Sequence, residues 1–259
     1  MKTPITEMFD IEFPIVAFTH CRDVVAAVSR AGGFGVLGAT RFTPEQLEEE
    51  LAWIDAHVDG APYGVDVLVP ELVDPRVREL AGNRSRAKAI DPSYQGFVNS
   101  VLGAHDIVPE AQMPILAERM GITPENGLAL MEVAFRHPIR LIANALGVAP
   151  ASMIAEGRQH DVHVVALGRA KEHAIRQAEA GVDIIVAQGT EGGGHVSWMA
   201  SLVLTPLVVD AVAPVPVLAA GGFADGRGLA AALALGADGV LLGTRFLASD
   251  ESPIHDNFK

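Results

Sequence analysis

The nine residues Ala187 to His195, AQGTEGGGH, leave an apolar run and end on a histidine preceded by three consecutive glycines. An imidazole with an ordinary pKa near 6.5 suits a general base working near neutrality. Glycines let a ligand lie flat against the main chain, and Gln188, at the end of the apolar run, stands where a strand delivers side chains to a rim. A second stretch, Val217 to Thr244, reads VLAAGGFADGRGLAAALALGADGVLLGT. Gly221-Gly222 and Gly243-Thr244 each follow a short apolar run, where backbone N–H groups can approach a phosphate and the Thr244 hydroxyl can add a donor. A glycine pair by itself marks a tight turn, and a lone histidine is more often structural than catalytic. Two glycine-bearing loops after adjacent strands, with a histidine-bearing loop before them, favour a phosphate-bearing ligand and chemistry beside it.

Residues so placed need a scaffold that gathers several strand ends on one rim. Short apolar runs alternate with helical patterns, the sequence form of repeated β-α units. Eight runs have the length and composition of strands: Pro14 to Phe18, Phe34 to Gly38, Tyr63 to Val69, Ile139 to Ala145, Val162 to Leu167, Val182 to Ala187, Val215 to Ala219 and Gly239 to Gly243. Between the first two, Val24, Val25, Val28 and Ala31 recur at helical spacing and Gly32-Gly33 supplies a left-handed stop. Thr43-Pro44-Glu45-Gln46 is a capping box with proline at the first helical position, and Leu47, Leu51, Ile54 and Val58 line one face of the helix it starts. Gly181 and Gly236 end helices directly before strands.

From Glu71 to Pro138 the rhythm stops, and only polar and helical stretches such as PEAQMPILAERM and PENGLALMEVAF appear. A structureless loop of that length is improbable in a compact domain, so the pattern predicts a mainly helical insertion after strand three. The strand count and the loop chemistry together predict an α/β fold, a (β/α)8 TIM barrel, with residues 1–70 and 139–259 forming the barrel and 71–138 an insertion near the substrate entrance. A doubly wound open sheet would give the same local signals, but no GxGxxG follows the first strand as a dinucleotide-binding domain requires.

Composition narrows the function. The chain has 32 acidic against 19 basic residues, a formal charge of −13, and no Lys/Arg stripe, which argues against nucleic acid. Cys21 is the only cysteine, so no internal disulfide or thiolate metal cluster can form. Cys21 and His20 follow the first strand and line the expected pocket, although Cys21 has no evident activating partner. His160 and His163 straddle a helix-to-strand junction and suggest no metal site. The run Glu48-Glu49-Glu50 is most simply a solvated helix face. The N-terminus lacks a signal-peptide core and no eighteen-residue apolar run occurs, so the expectation is a cytoplasmic protein without a membrane segment.

With these residues in place, the sequence resembles the nitronate monooxygenase family, also known as 2-nitropropane dioxygenases. The likeness runs through most of Phe13 to Val69 and Ile139 to Ser252, and its most specific parts are AAVSRAGGFGVLGA, AQGTEGGGH and PVLAAGGFADGRGLAAALALGADGVLLGTRFLASDES. The resemblance implies a barrel that holds FMN noncovalently and oxidises alkyl nitronates, or neutral nitroalkanes, with molecular oxygen. It implies His195 as the catalytic histidine, Gln188, Gly193, Gly222, Leu241, Leu242, Gly243 and Thr244 as FMN contacts, and a small-molecule substrate; it also admits a homodimer. Where the family often carries asparagine, this chain has Asp66, at a position that faces the flavin. A carboxylate there would make reduction to the anionic hydroquinone less favourable. The family's Ala-Pro-Met of strand one is Ala17-Phe18-Thr19 here, which alters the wall facing the flavin. Relatives continue through further helices after strand eight, so the resemblance implies that a helix over strands eight and one is missing from this sequence. The same loops and histidine are similar to those of NADH-dependent flavin reductases of the wider superfamily, acting on enoyl-[acyl carrier protein] or quinones, and a flavin-binding protein without turnover would share them too.

Overall fold

Each apolar run expected to be a strand forms one, and the eight pair in chain order: β1 Ile15–Thr19, β2 Phe34–Gly38, β3 Tyr63–Asp66, β4 Leu141–Asn144, β5 His163–Gly168, β6 Ile184–Gln188, β7 Val217–Ala220 and β8 Gly239–Leu242. All neighbours are parallel, and β8 pairs back onto β1 with Leu241 opposite Val16, so the sheet closes into a (β/α)8 barrel. The computed structural model describes residues 1–69, 92–105, 124–194 and 196–259. Their helices are α1 Pro4–Phe9, α2 Arg22–Arg30, α3 Pro44–His57, α4 Pro92–Ala104, α5 Pro124–Ala134, α6 Ala151–His160, α7 Lys171–Ala180, α8 Ser201–Val212, α9 Gly226–Ala234 and α10 Thr244–Leu247.

Strand side chains alternate in direction, and that alternation sorts the core into two layers. Val16, Phe34, Val36, Leu141, Val165, Ile184 and Leu218 fill the lumen. Val65, Ile142, Val164, Ile185 and Val217 face outward and pack with Leu47, Leu51 and Ile54 of α3 and Leu130 and Met131 of α5. The capping box of α3 is formed: Gln46 N–H donates to Thr43 Oγ1 (3.3 Å) and Thr43 N–H to Gln46 Oε1 (3.0 Å). Gly32 (φ +85°) and Gly181 (φ +93°) take the left-handed conformation that stops the preceding helix.

Two features were not foreseen. Thr3 and Thr6 build a second capping box that starts α1, and Ile5 and Phe9 of this short helix join the lumen cluster. The Phe9 ring lies 4.4 Å from that of Phe34 and meets His163 edge-on, so α1 closes the N-terminal end of the barrel. The run read as a strand to Val69 stops pairing at Asp66, because the buried Asn144 side chain takes over: its Oδ1 accepts from Val69 N–H (3.1 Å) and its Nδ2 donates to Val69 O (3.3 Å).

The acidic run on α3 is more than a solvated face. Glu48 pairs with Arg136 at 2.6 Å and Glu50 with Arg22 at 3.4 Å. Of the expected helical insertion, α4 and α5 lie within the described residues, while 70–91 and 106–123 lie outside them. α5 packs against the segment after β3, where Gly127 approaches the Leu68 carbonyl so closely that a Cβ would stand 2.5 Å from it. Among the described residues no helix is long and apolar enough to cross a membrane.

Candidate active site

The C-terminal ends of the strands meet on one rim, and the loops after β6 and β7 converge there on Ser201, the first residue of α8, with the β8 loop beside the β6 loop. Ala200, the residue before it, offers no side-chain cap. The N-terminus of α8 is capped from a distance instead: Glu191, in the loop after β6, accepts from Ser201 N–H through Oε2 (2.8 Å) and Oε1 (3.1 Å). The Ser201 hydroxyl, with one proton to give, stands 2.8 Å from Glu191 Oε2, 2.8 Å from the Gly221 carbonyl and 3.1 Å from the Ala220 carbonyl. Partial burial pushes the Glu191 carboxyl up, but the hydrogen bonds from Ser201 and from the main chain outweigh it and hold the group below its ordinary value. Ser201 thereby ties the β6 loop to the β7 loop.

Glycine is required at these contacts. A Cβ on Gly189 would lie 2.1 Å from Ser201 Oγ, and one on Gly221 (φ +100°) would lie 2.8 Å from the same atom and 3.1 Å from Gly192 N. The β8 loop joins on the other side, because a Cβ on Gly193 would be 3.5 Å from Thr244 Oγ1. Gly222 is left-handed at φ +78° beside Glu191. Among the described residues, the N–H groups of Gly193 and Gly222 make no hydrogen bond within the protein. The result is a backbone-lined concavity with free donors and a threonine hydroxyl, the kind of surface that receives a phosphate without net positive charge. These residues fit the phosphate end of a flavin mononucleotide.

The other expected contacts divide. Gln188 reaches the rim at the end of β6 and donates from Nε2 to Gly193 O at 3.2 Å. Leu241 packs against the lumen cluster, whereas the Leu242 side chain points outward among Leu229 and Val240, leaving only its main chain toward the mouth. Gly243 directly precedes α10. His195 lies outside the described residues.

Asp66 ends β3 opposite Gly38 of β2 and Ala143 of β4. Its strand neighbours Tyr63 and Val65 face outward, so its carboxyl faces the lumen. It is 5% exposed, and Oδ1 has no hydrogen-bond partner among the described residues. Burial pushes the carboxyl up to about 7. This changes the expectation of a fixed negative charge beside a flavin: near neutrality the acid form is substantially populated.

His20, from the loop after β1, completes this corner. Its ring lies over Gly38, whose Cβ would stand 2.5 Å from it, and meets Phe18 edge-on at 5.2 Å. Its Nδ1 is 2.9 Å from the Gly38 carbonyl, an acceptor, so Nδ1 carries a proton. Phe18, from the altered strand-one motif, packs against the lumen cluster. Cys21 is turned away, with Sγ donating to Glu251 O at 3.4 Å. His160 stacks on Phe135 while His163 faces Phe9 in the lumen, and the two do not converge. Sequence reasoning missed Ser201 as the hub of the rim. No local signal marks it, since its partners are ten and twenty residues away.

The family model for nitronate monooxygenase matches residues 2–259. A Mycobacterium tuberculosis protein named as a candidate monooxygenase, Rv1533, is 49% identical over 255 residues, covering 97% of this chain and 68% of that protein. Among solved structures, nitroalkane oxidase from Streptomyces ansochromogenes superposes with a TM-score of 0.73 at 28% identity, covering 96% of this chain and 70% of its own. FabK from Thermotoga maritima superposes with a TM-score of 0.72 at 28% identity, covering 98% of this chain and 65% of its own.

Proposed function

Because the chain belongs to the nitronate monooxygenase family of flavin oxidoreductases, we propose that it binds FMN at the concavity between the β6, β7 and β8 loops and oxidises alkyl nitronates with molecular oxygen. The observation that carries this reading is that Ser201 joins the glycine-bearing β6 and β7 loops and Gly193 of the β6 loop meets Thr244 of the β8 loop, with free N–H donors among the described residues at Gly193 and Gly222 and the Thr244 hydroxyl beside them. In this reading Gly193, Gly222, Gly243 and Thr244 hold the phosphate, Gln188 and Asp66 face the ring system, and Leu241 and the main chain of Leu242 form its wall. When bound, FMN supplies the two-electron acceptor and returns the electrons to dioxygen. The protein orients the substrate at the rim and excludes water from it, and His195 is the catalytic histidine, taking the carbon-bound proton when the substrate is a neutral nitroalkane.

The likeness to FabK favours a second reading, an NADH-dependent flavin reductase on the same scaffold. One experiment separates the two: anaerobic mixing of the FMN-loaded protein with a nitronate and, separately, with NADH, while flavin absorbance is followed. Bleaching by the nitronate alone supports the oxidase, and bleaching by NADH supports the reductase. No bleaching by either leaves a flavin-binding protein without turnover, and recovery of FAD or of no flavin on denaturation overturns the FMN reading itself.

A further inference from the structure

The Asp66 carboxyl is buried in the lumen wall, faces the rim, and leaves Oδ1 without a partner among the described residues. Among the described residues neither protonation state is satisfied. An ionised, unpaired carboxylate in such a place is costly, and a carboxylic acid with no acceptor wastes its proton. A cation would serve the ionised form, but no group of three ligating side chains gathers among the described residues. A ligand atom that accepts a hydrogen bond serves the acid form.

We propose that Asp66 faces the cofactor as a neutral carboxylic acid and donates its proton, in a hydrogen bond, to an acceptor atom of the flavin ring. The inference rests on the FMN reading above and deepens it by assigning a protonation state to one of this chain's own residues. The surroundings favour the acid. The adjoining strands β2 and β4 bring no ionisable side chain to this rim. The loops after β1 and β2 bring His20, whose Nδ1 is engaged with Gly38 O, and Arg41, whose guanidinium donates to the His20 carbonyl at 2.7 Å. Among the described residues of the loop after β6 the ionisable side chain is Glu191, which Ser201 holds. None of the three makes a hydrogen bond or ion pair with Asp66. With burial lifting the carboxyl to about 7, the donor is present at pH 6 and largely lost at pH 8.

The test is FMN affinity against pH, read by flavin fluorescence, in the parent and in Asp66→Asn, whose amide remains a donor at every pH. The ratio of the two profiles removes the titration of the FMN phosphate. The parent should bind FMN roughly tenfold more weakly, relative to the variant, at pH 8 than at pH 6, following the linkage between proton and ligand binding. Infrared spectra of the flavin-free parent at pH 6 should also contain a protonated-carboxyl band that Asp66→Asn lacks. Parallel pH profiles, or an Asp66 already ionised at pH 6, overturn the inference and leave the FMN reading intact. Absence of flavin binding at any pH overturns both. Should Asp66→Asn fail to fold, a missing carboxyl band in the flavin-free parent at pH 6 still refutes the proposal.

Discussion

β3 is four residues long, and its two ends carry opposite solutions to the burial of a polar group. At its start, Tyr63 donates to Asp55 Oδ1 at 2.5 Å, and His137 Nδ1 bonds Asp55 Oδ2 at 2.7 Å. Arg136, next to His137, bonds Glu48 at 2.6 Å, while His137 Nε2 stands 3.4 Å from Glu48 without a hydrogen bond among the described residues. Burial first, and then the bond to Asp55, push the Tyr63 hydroxyl far above its ordinary value, so it remains a donor. This network fastens α3 and the chain leaving α5 to the bottom of the barrel. At the other end, Asp66 is equally buried and nothing among the described residues answers it. Barrels keep their chemistry at the C-terminal rim and their stability at the N-terminal face, and a buried group left unsatisfied on the chemical side marks where a ligand belongs.

If that contrast is right, the two ends should fail differently. The largest effect expected is the pH dependence of stability set by Asp66. Its folded-state value is raised from 3.8 to about 7, so the folded state holds the proton longer than the unfolded chain. The stability it contributes is full below pH 4 and is lost as pH rises to about 7, a change of up to about 4 kcal/mol. Urea midpoints of the flavin-free parent should fall over that window relative to Asp66→Asn; a constant difference between the two would contradict the assignment.

Next is His195→Asn, which should fold and keep FMN but lose roughly 100-fold or more of activity on neutral nitroalkanes, the scale of a positioned acid–base group, and far less on preformed nitronates. Equal losses on both substrates would point to orientation rather than proton transfer. Tyr63→Phe, at the opposite end, should destabilise the fold by about 2 kcal/mol, by stripping a donor from the Asp55 network, and leave FMN affinity and turnover at parental levels. A change in turnover without a change in thermal midpoint would erase the distinction between the ends. The smallest effect belongs to Thr244→Val, which should weaken FMN binding by about 1 to 2 kcal/mol, measured by equilibrium titration.

The barrel was legible because its signals are local. Apolar runs, the Thr43 capping box and the glycine stops at 32 and 181 each act within a few residues. The glycines of the rim were legible as loops that could receive a phosphate, and the resemblance named the ligand as FMN. What the sequence hid is nonlocal. The end of β3 depends on an amide 75 residues away on Asn144, and α8 begins under a cap supplied by Glu191 rather than by the residue before it. Asp66 could be picked out as unusual, but its protonation follows from the depth of burial, which no spacing encodes. Leu242 illustrates the reverse error of resolution: strand alternation turns its side chain away from the mouth that its neighbour Leu241 faces.

Closure of the barrel floor by α1 has a kinetic corollary. With Ile5 and Phe9 packed beneath the lumen and side chains filling it, the described residues offer no passage through the floor, so exchange at the rim takes place on its C-terminal side. Substrate and product would then exchange on the same side, and stopped-flow rates of substrate entry at rising product concentration would show whether they hinder each other.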